Sequence, residues 1–173
     1  PFFANMNLIV LTPAGRGGSF FIQSLFDGHP EVTQLPSCHT QFNYYESYLS
    51  CGENIKLFTI KHKTLFNPLI NFFNTLTMDK HSKRTSANKL AQLKSIPDIN
   101  KFINKFEDLN KVYPIKNEKV FFTFLHLAWA QTIKQNIHTL KHIFVHYHAS
   151  KVEDIKKIKS LWPNLKLIIC TKH

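Results

Sequence analysis

Leu8-Ile9-Val10-Leu11-Thr12-Pro13-Ala14-Gly15-Arg16-Gly17-Gly18-Ser19-Phe20-Phe21-Ile22-Gln23-Ser24-Leu25-Phe26 reads as a buried-type strand, a glycine-rich turn holding one arginine and one serine, and a helix. Gly15, Gly17 and Gly18 can adopt positive φ and bring backbone N–H groups close to an anion. A helix opening near Ser19 adds unpaired N–H donors and the positive end of its dipole. Arg16 adds a permanent charge. The stretch predicts a phosphate-binding strand-loop-helix unit. A tight turn with no ligand is the reading that three glycines alone also allow.

The order of residues inside the turn narrows the ligand. A nucleotide-triphosphatase loop, Gly-x-x-x-x-Gly-Lys-Ser/Thr, needs a lysine directly before the hydroxyl residue, and Gly18 occupies that place. The cation comes earlier, in Arg16-Gly17-Gly18-Ser19, and the helix runs on into Leu25-Phe26-Asp27-Gly28-His29-Pro30-Glu31-Val32. This arrangement resembles the sulfotransferase family that uses 3′-phosphoadenosine 5′-phosphosulfate. The family's 5′-phosphosulfate loop, Arg/Lys-Ser/Thr-Gly-Thr/Ser-Thr/Ser, precedes a helix and a Leu-Leu-Asp-x-His-Pro-Glu/Asp-Val stretch. Arg16, Gly18, Ser19, Leu25, Asp27, His29, Pro30, Glu31 and Val32 match it, whereas Gly17 and Phe20 depart.

A second point of resemblance lies at the far end, where Leu167-Ile168-Ile169-Cys170-Thr171-Lys172-His173 brings Lys172 to the place of the family's strand-end arginine for the 3′-phosphate. Lysine supplies the charge without the bidentate fork. From about Gln41 to Leu140 nothing aligns. The resemblance implies a three-layer α/β fold of P-loop-like sulfotransferase type, with a central parallel sheet, flanking helices and a truncated C-terminus. It implies 3′-phosphoadenosine 5′-phosphosulfate as co-substrate, held by Gly15, Arg16, Gly17, Gly18, Ser19, Phe20 and Lys172, with no metal. Arg16 takes the catalytic cation's place, where it stabilises charge on the leaving oxygen. The segment where many members carry their base reads Leu35-Pro36-Ser37-Cys38-His39-Thr40. His39 is the expected base, with Glu46 and His62 as alternatives.

With 173 residues and 43% hydrophobic content, the chain can bury one sizeable core, so residues 1–173 are read as a single, incomplete domain. The formal charge of +11 favours anionic partners: a nucleotide, nucleic acid or an acidic membrane. A nucleotide kinase-like protein and a basic nucleic-acid-binding module are the rival readings. The kinase reading lacks the Gly-Lys-Ser/Thr order and a clear strand-end aspartate for magnesium. The nucleic-acid reading lacks basic residues interleaved with aromatics on one element, so no nucleic acid is expected. No apolar run reaches the roughly 20 residues needed to span a bilayer. Cys38, Cys51 and Cys170 lack paired zinc-site spacing and favour a reducing, cytoplasmic setting. The acceptor is undefined, with a glycan among the candidates.

Along the chain, strands are expected at Asn7–Leu11, Glu31–Leu35, Ile55–Lys61, His142–His148 and Leu165–Cys170. Residues 62–117 read as a mostly helical, acceptor-side insertion, in which Ser95-Ile96-Pro97-Asp98 starts a helix burying Ile99, Phe102, Ile103, Phe106 and Leu109. Glu118–Ile137 reads as one long buried helix. Ser150-Lys151-Val152-Glu153 opens another, with Ile155, Ile158 and Leu161 inward, completing a right-handed parallel crossover. Lys80, Lys83, Arg84 and Lys89 form a basic surface excursion, and Lys151, Lys156, Lys157 and Lys159 form a solvated helix face. His146 and His148 alternate on one strand face, which is two ligands and too few for a zinc site.

Overall fold

A computed structural model of the chain describes residues 2–14, 19–39, 41–66, 98–148 and 151–171. Among them, β1 (Asn7–Ala14), β2 (Val32–Gln34), β3 (His142–His146) and β4 (Lys166–Thr171) form one parallel sheet in the order β2-β3-β1-β4. The helices are α1 (Ser19–Leu25), α2 (Tyr44–Ser50), α3 (Ile55–Lys61), α4 (Lys63–Phe66), α5 (Ile99–Val112), α6 (Glu118–Thr132) and α7 (Val152–Leu161). The chain is α/β, with a central parallel sheet flanked by helices on both faces.

Side-chain alternation along β1 assigns those faces. Leu8 and Val10 join Ile143 and Val145 of β3 under α2, α3, α5, α6 and α7. Ile9 and Leu11 join Phe144 and Cys170 on the opposite face, covered by Ile22 and Phe26 around α1. The large core is aromatic. Phe121 meets Tyr48 at 4.6 Å, Phe58 at 5.3 Å, Tyr45 at 5.7 Å and Phe106 at 5.8 Å between ring centroids. Every residue of α6 from Phe121 to Ala130 is buried, because sheet and helices enclose it on all sides.

Several expectations need correction. Ile55–Lys61 is helix α3, not a strand: the Asn54 side chain accepts from the Leu57 N–H, and Ile55, Phe58 and Thr59 face inward at helical spacing. Its β-branched and aromatic composition reflects burial, not extended backbone. Helix α6 ends at Thr132, five residues short of Ile137, because Lys134 takes a left-handed φ of 63°. Ile133 caps it, 36% exposed. Strand β1 runs on to Ala14, while β3 stops at His146. Among the described residues strand β4 lies at the sheet edge, with Leu167 and Ile169 exposed.

Helix α5 begins after Asp98, which accepts from the Asn100 N–H. Ile99 is exposed, whereas Phe102, Ile103 and Phe106 are buried. Helix α7 starts after Lys151 without a side-chain cap. Lys157, expected to be solvated, pairs with Glu118 at 3.3 Å and Glu46 at 3.5 Å. The basic stretch containing Lys80, Lys83, Arg84 and Lys89 lies outside the described residues, as does Ser150.

Candidate functional site at the carboxyl edge of the sheet

In a parallel sheet the loops leaving the carboxyl ends of the strands gather on one edge, and ligands bind where the outgoing helices part to opposite faces. Here β1 leads into α1 on one face, and its neighbour β3 leads into α7 on the other. Strand β1 ends at that divergence with Ala14, the residue that precedes the glycine run in sequence. Ala14, the last residue of β1, pairs in register with Thr171, the last residue of β4. Gly15 and Lys172 thus follow two residues that are neighbours on the same edge. Ser19 opens α1 and is buried, and Phe20 stands in that helix's first turn. Gly15, Arg16, Gly17, Gly18 and Lys172 lie outside the described residues.

His39 sits on the same edge, in a parallel bridge with Tyr147 beyond the ends of β2 and β3. Its N–H donates to the His146 carbonyl at 2.7 Å, and its own carbonyl accepts from the His148 N–H at 2.9 Å. The imidazole is 1% exposed, enclosed by Phe42, Tyr44, Phe122 and His126. Neither ring nitrogen has a hydrogen-bond partner among the described residues. Burial, reinforced by His126 and His146, holds its pKa well below the usual histidine value. The ring is therefore neutral, but its walls separate it from solvent.

His126 was not singled out by sequence. A signal existed: a helix enclosed on every side buries any polar residue within it. Its Nδ1 bonds the Phe122 carbonyl at 2.9 Å, and desolvation lowers its pKa to about 4. His148 lies beyond the end of β3, so His146 and His148 do not share a strand, yet their ring centroids are 5.5 Å apart. His146 Nδ1 bonds Gln23 Oε1 at 2.9 Å, which ties the end of β3 to α1. Among the described residues no group of three or more His, Cys, Asp and Glu side chains is placed to hold a metal ion.

Glu46 and His62 lie on a different feature, an open cavity of about 660 Å³ between the segment leaving β2 and helices α2 and α3. Cys38 and Gln41 bring the β2 exit into its wall. Ser47 Oγ and His62 Nε2 are 2.7 Å apart, and Lys61 Nζ donates to Ser50 Oγ at 3.3 Å. Burial, with a smaller contribution from Lys61, lowers the His62 pKa.

The Asp27-Gly28-His29-Pro30-Glu31-Val32 stretch has a structural role at the opposite end of the sheet. Asp27 accepts from Gln34, His29 Nδ1 accepts from the Glu31 N–H at 3.2 Å, and Glu31 pairs with Lys141. Gln135 Nε2 donates to the carbonyls of Val32 at 2.7 Å and His29 at 3.2 Å. Gly28, at φ 72°, makes the turn. These contacts set the entry to β2.

Comparisons with protein-family models, with curated proteins and with solved structures find no match to this chain. Among the described residues no helix is long and apolar enough to cross a membrane.

Proposed function

We infer that the chain is a sulfotransferase with a P-loop-like sulfotransferase fold, binding 3′-phosphoadenosine 5′-phosphosulfate at the carboxyl edge and passing its sulfuryl group to a hydroxyl or amine acceptor. The observation that carries this reading is the end of β1 at Ala14, on the edge where the helices that follow β1 and β3 part to opposite faces; in sequence the glycine run comes next. A loop of glycines leaving such a point offers N–H donors to an anion, and Arg16 and Ser19 add a cation and a hydroxyl. In this reading Lys172, following the residue paired with Ala14, supplies charge to the 3′-phosphate.

In sulfuryl transfer, negative charge grows on the bridging oxygen as the sulfur–oxygen bond breaks. Donors fixed in advance around that oxygen stabilise the transition state more than the bound donor. Arg16 stays protonated at any working pH, so it acts by charge and does not deliver the proton. A reducing, cytoplasmic setting fits Cys38, Cys51 and Cys170, which form no disulfide.

Calorimetry tests the reading. The chain is expected to bind 3′-phosphoadenosine 5′-phosphate more tightly than ATP, and without magnesium. Tighter, magnesium-dependent ATP binding would overturn it in favour of phosphoryl transfer.

A further inference from the structure

At the amino end of the sheet a cavity of about 360 Å³ opens between the start of β1, the first turn of α6 and the turn that follows α7. Asn7 on its wall begins β1, and Ala14 ends that strand roughly 23 Å away at the rise of a parallel strand. The cavity is therefore remote from the carboxyl edge, and what it binds is independent of the sulfotransferase reading. Trp162 forms part of the wall. It is 3% exposed, packs edge-on to Phe122 at 5.5 Å, and its indole N–H has no hydrogen-bond partner among the described residues. A buried donor in that condition opposes folding unless a bound group accepts from it. Lys119 Nζ stands 5.9 Å from the centre of the same ring. Lysine in a helix's first turn meets the positive end of the dipole, so nothing within α6 favours it there, and both call for a negative charge. Glu118 beside it is engaged by Lys157 at 3.3 Å.

Each part of the wall selects a different ligand group. An ammonium and an indole N–H can only donate, so together they suit an anionic oxygen. Asn5, Asn7 and Asn164 each present an amide that donates and accepts, which suits hydroxyls, since hydroxyls do both. Met6, Leu8 and Pro163 add an apolar side that suits carbon-bound hydrogens. We propose that this cavity binds a hydroxylated organic anion of monosaccharide size, a sugar acid or sugar phosphate, with its charged group on Lys119 and Trp162 and its hydroxyls on the three asparagines. A neutral sugar forfeits the first set of contacts, and a bare inorganic anion forfeits the second.

Calorimetry on the whole chain tests this, with glucuronate, glucose 6-phosphate, glucose and inorganic phosphate as probes. At least one of the two sugar anions is expected to bind about tenfold or more tighter than glucose and than inorganic phosphate. Which of the two binds tighter tells carboxylate from phosphate. Lys119→Gln should weaken that anion to the level of glucose, and Lys119→Arg should restore it. Tryptophan emission should change on saturation, because the ligand accepts from the indole of Trp162. Trp162→Phe should weaken binding by about tenfold and abolish the emission change, since Trp129, the chain's other tryptophan, is buried in the core. Urea unfolding checks that each variant is folded; if Lys119→Gln is not, the ranking of the four probes on the wild type decides. Failure of both sugar anions to bind, glucose or inorganic phosphate binding as tightly as they do, or an affinity unmoved in folded Lys119→Gln overturns the proposal. None of these results bears on nucleotide binding at the other edge.

Discussion

His39 and His126 lie face to face inside the core, their rings 12° from parallel and their centroids 5.7 Å apart. Both are buried, both are held neutral, and His146 beside them also has its pKa lowered to about 4 by burial. The folded chain therefore resists protons that the unfolded chain binds near pH 6.5. Stability should be fully present above that value and fall as pH drops toward 4, the reverse of a histidine stabilised by an acidic partner. His126 alone accounts for roughly 3 kcal/mol across this window. Urea unfolding at pH 7, 5.5 and 4.5 should show this loss, and His126→Phe should make it shallower. Equal pH dependence in the two proteins would remove His126 from the cause.

The nucleotide contacts separate by ligand. Lys172→Ala is expected to weaken 3′-phosphoadenosine 5′-phosphate more than adenosine 5′-phosphate, since only the former carries the group assigned to it. Equal losses would remove Lys172 from the 3′-phosphate. Arg16→Ala should slow sulfuryl transfer by about a hundredfold for every acceptor, as expected of one preorganised donor. A slowing confined to one acceptor would assign Arg16 to acceptor recognition instead.

Phe121 joins α2, α3 and α5 to α6 through its contacts with Tyr48, Phe58 and Phe106. Phe121→Ala should cost about 3–5 kcal/mol, transfer and cavity terms together. Denaturant melts of that variant beside Phe21→Ala check the claim, because Phe21 is 64% exposed and its truncation should change little.

The strands at Asn7, Glu31, His142 and Leu165 were readable because apolar runs bounded by turn residues specify extended, covered backbone. Ile55–Lys61 was not, since seven residues are too short for periodicity to outweigh β-branched composition, and the deciding Asn54 cap is one side-chain bond. The long helix was readable at its start, where Asn117 accepts from the Val120 N–H, but not at its end, where no glycine marks the left-handed Lys134. For the site, the edge position of Ser19 and His39 followed from the motifs. The enclosure of His39 did not, because Phe122 and His126 reach it from helix α6, more than 80 residues away in sequence, to meet Phe42 and Tyr44. The Ser47–His62 pair is likewise a meeting of two helices that no local pattern encodes.

Strand β1 is made well before its two partners, residues 142–146 and 166–171. It stays without either neighbour until synthesis has passed residue 142, holding an apolar ribbon with open hydrogen-bonding edges through that interval. Folding that depends on such distant pairings is slow, and the Leu8–Leu11 run is where a delayed chain would first join its neighbours.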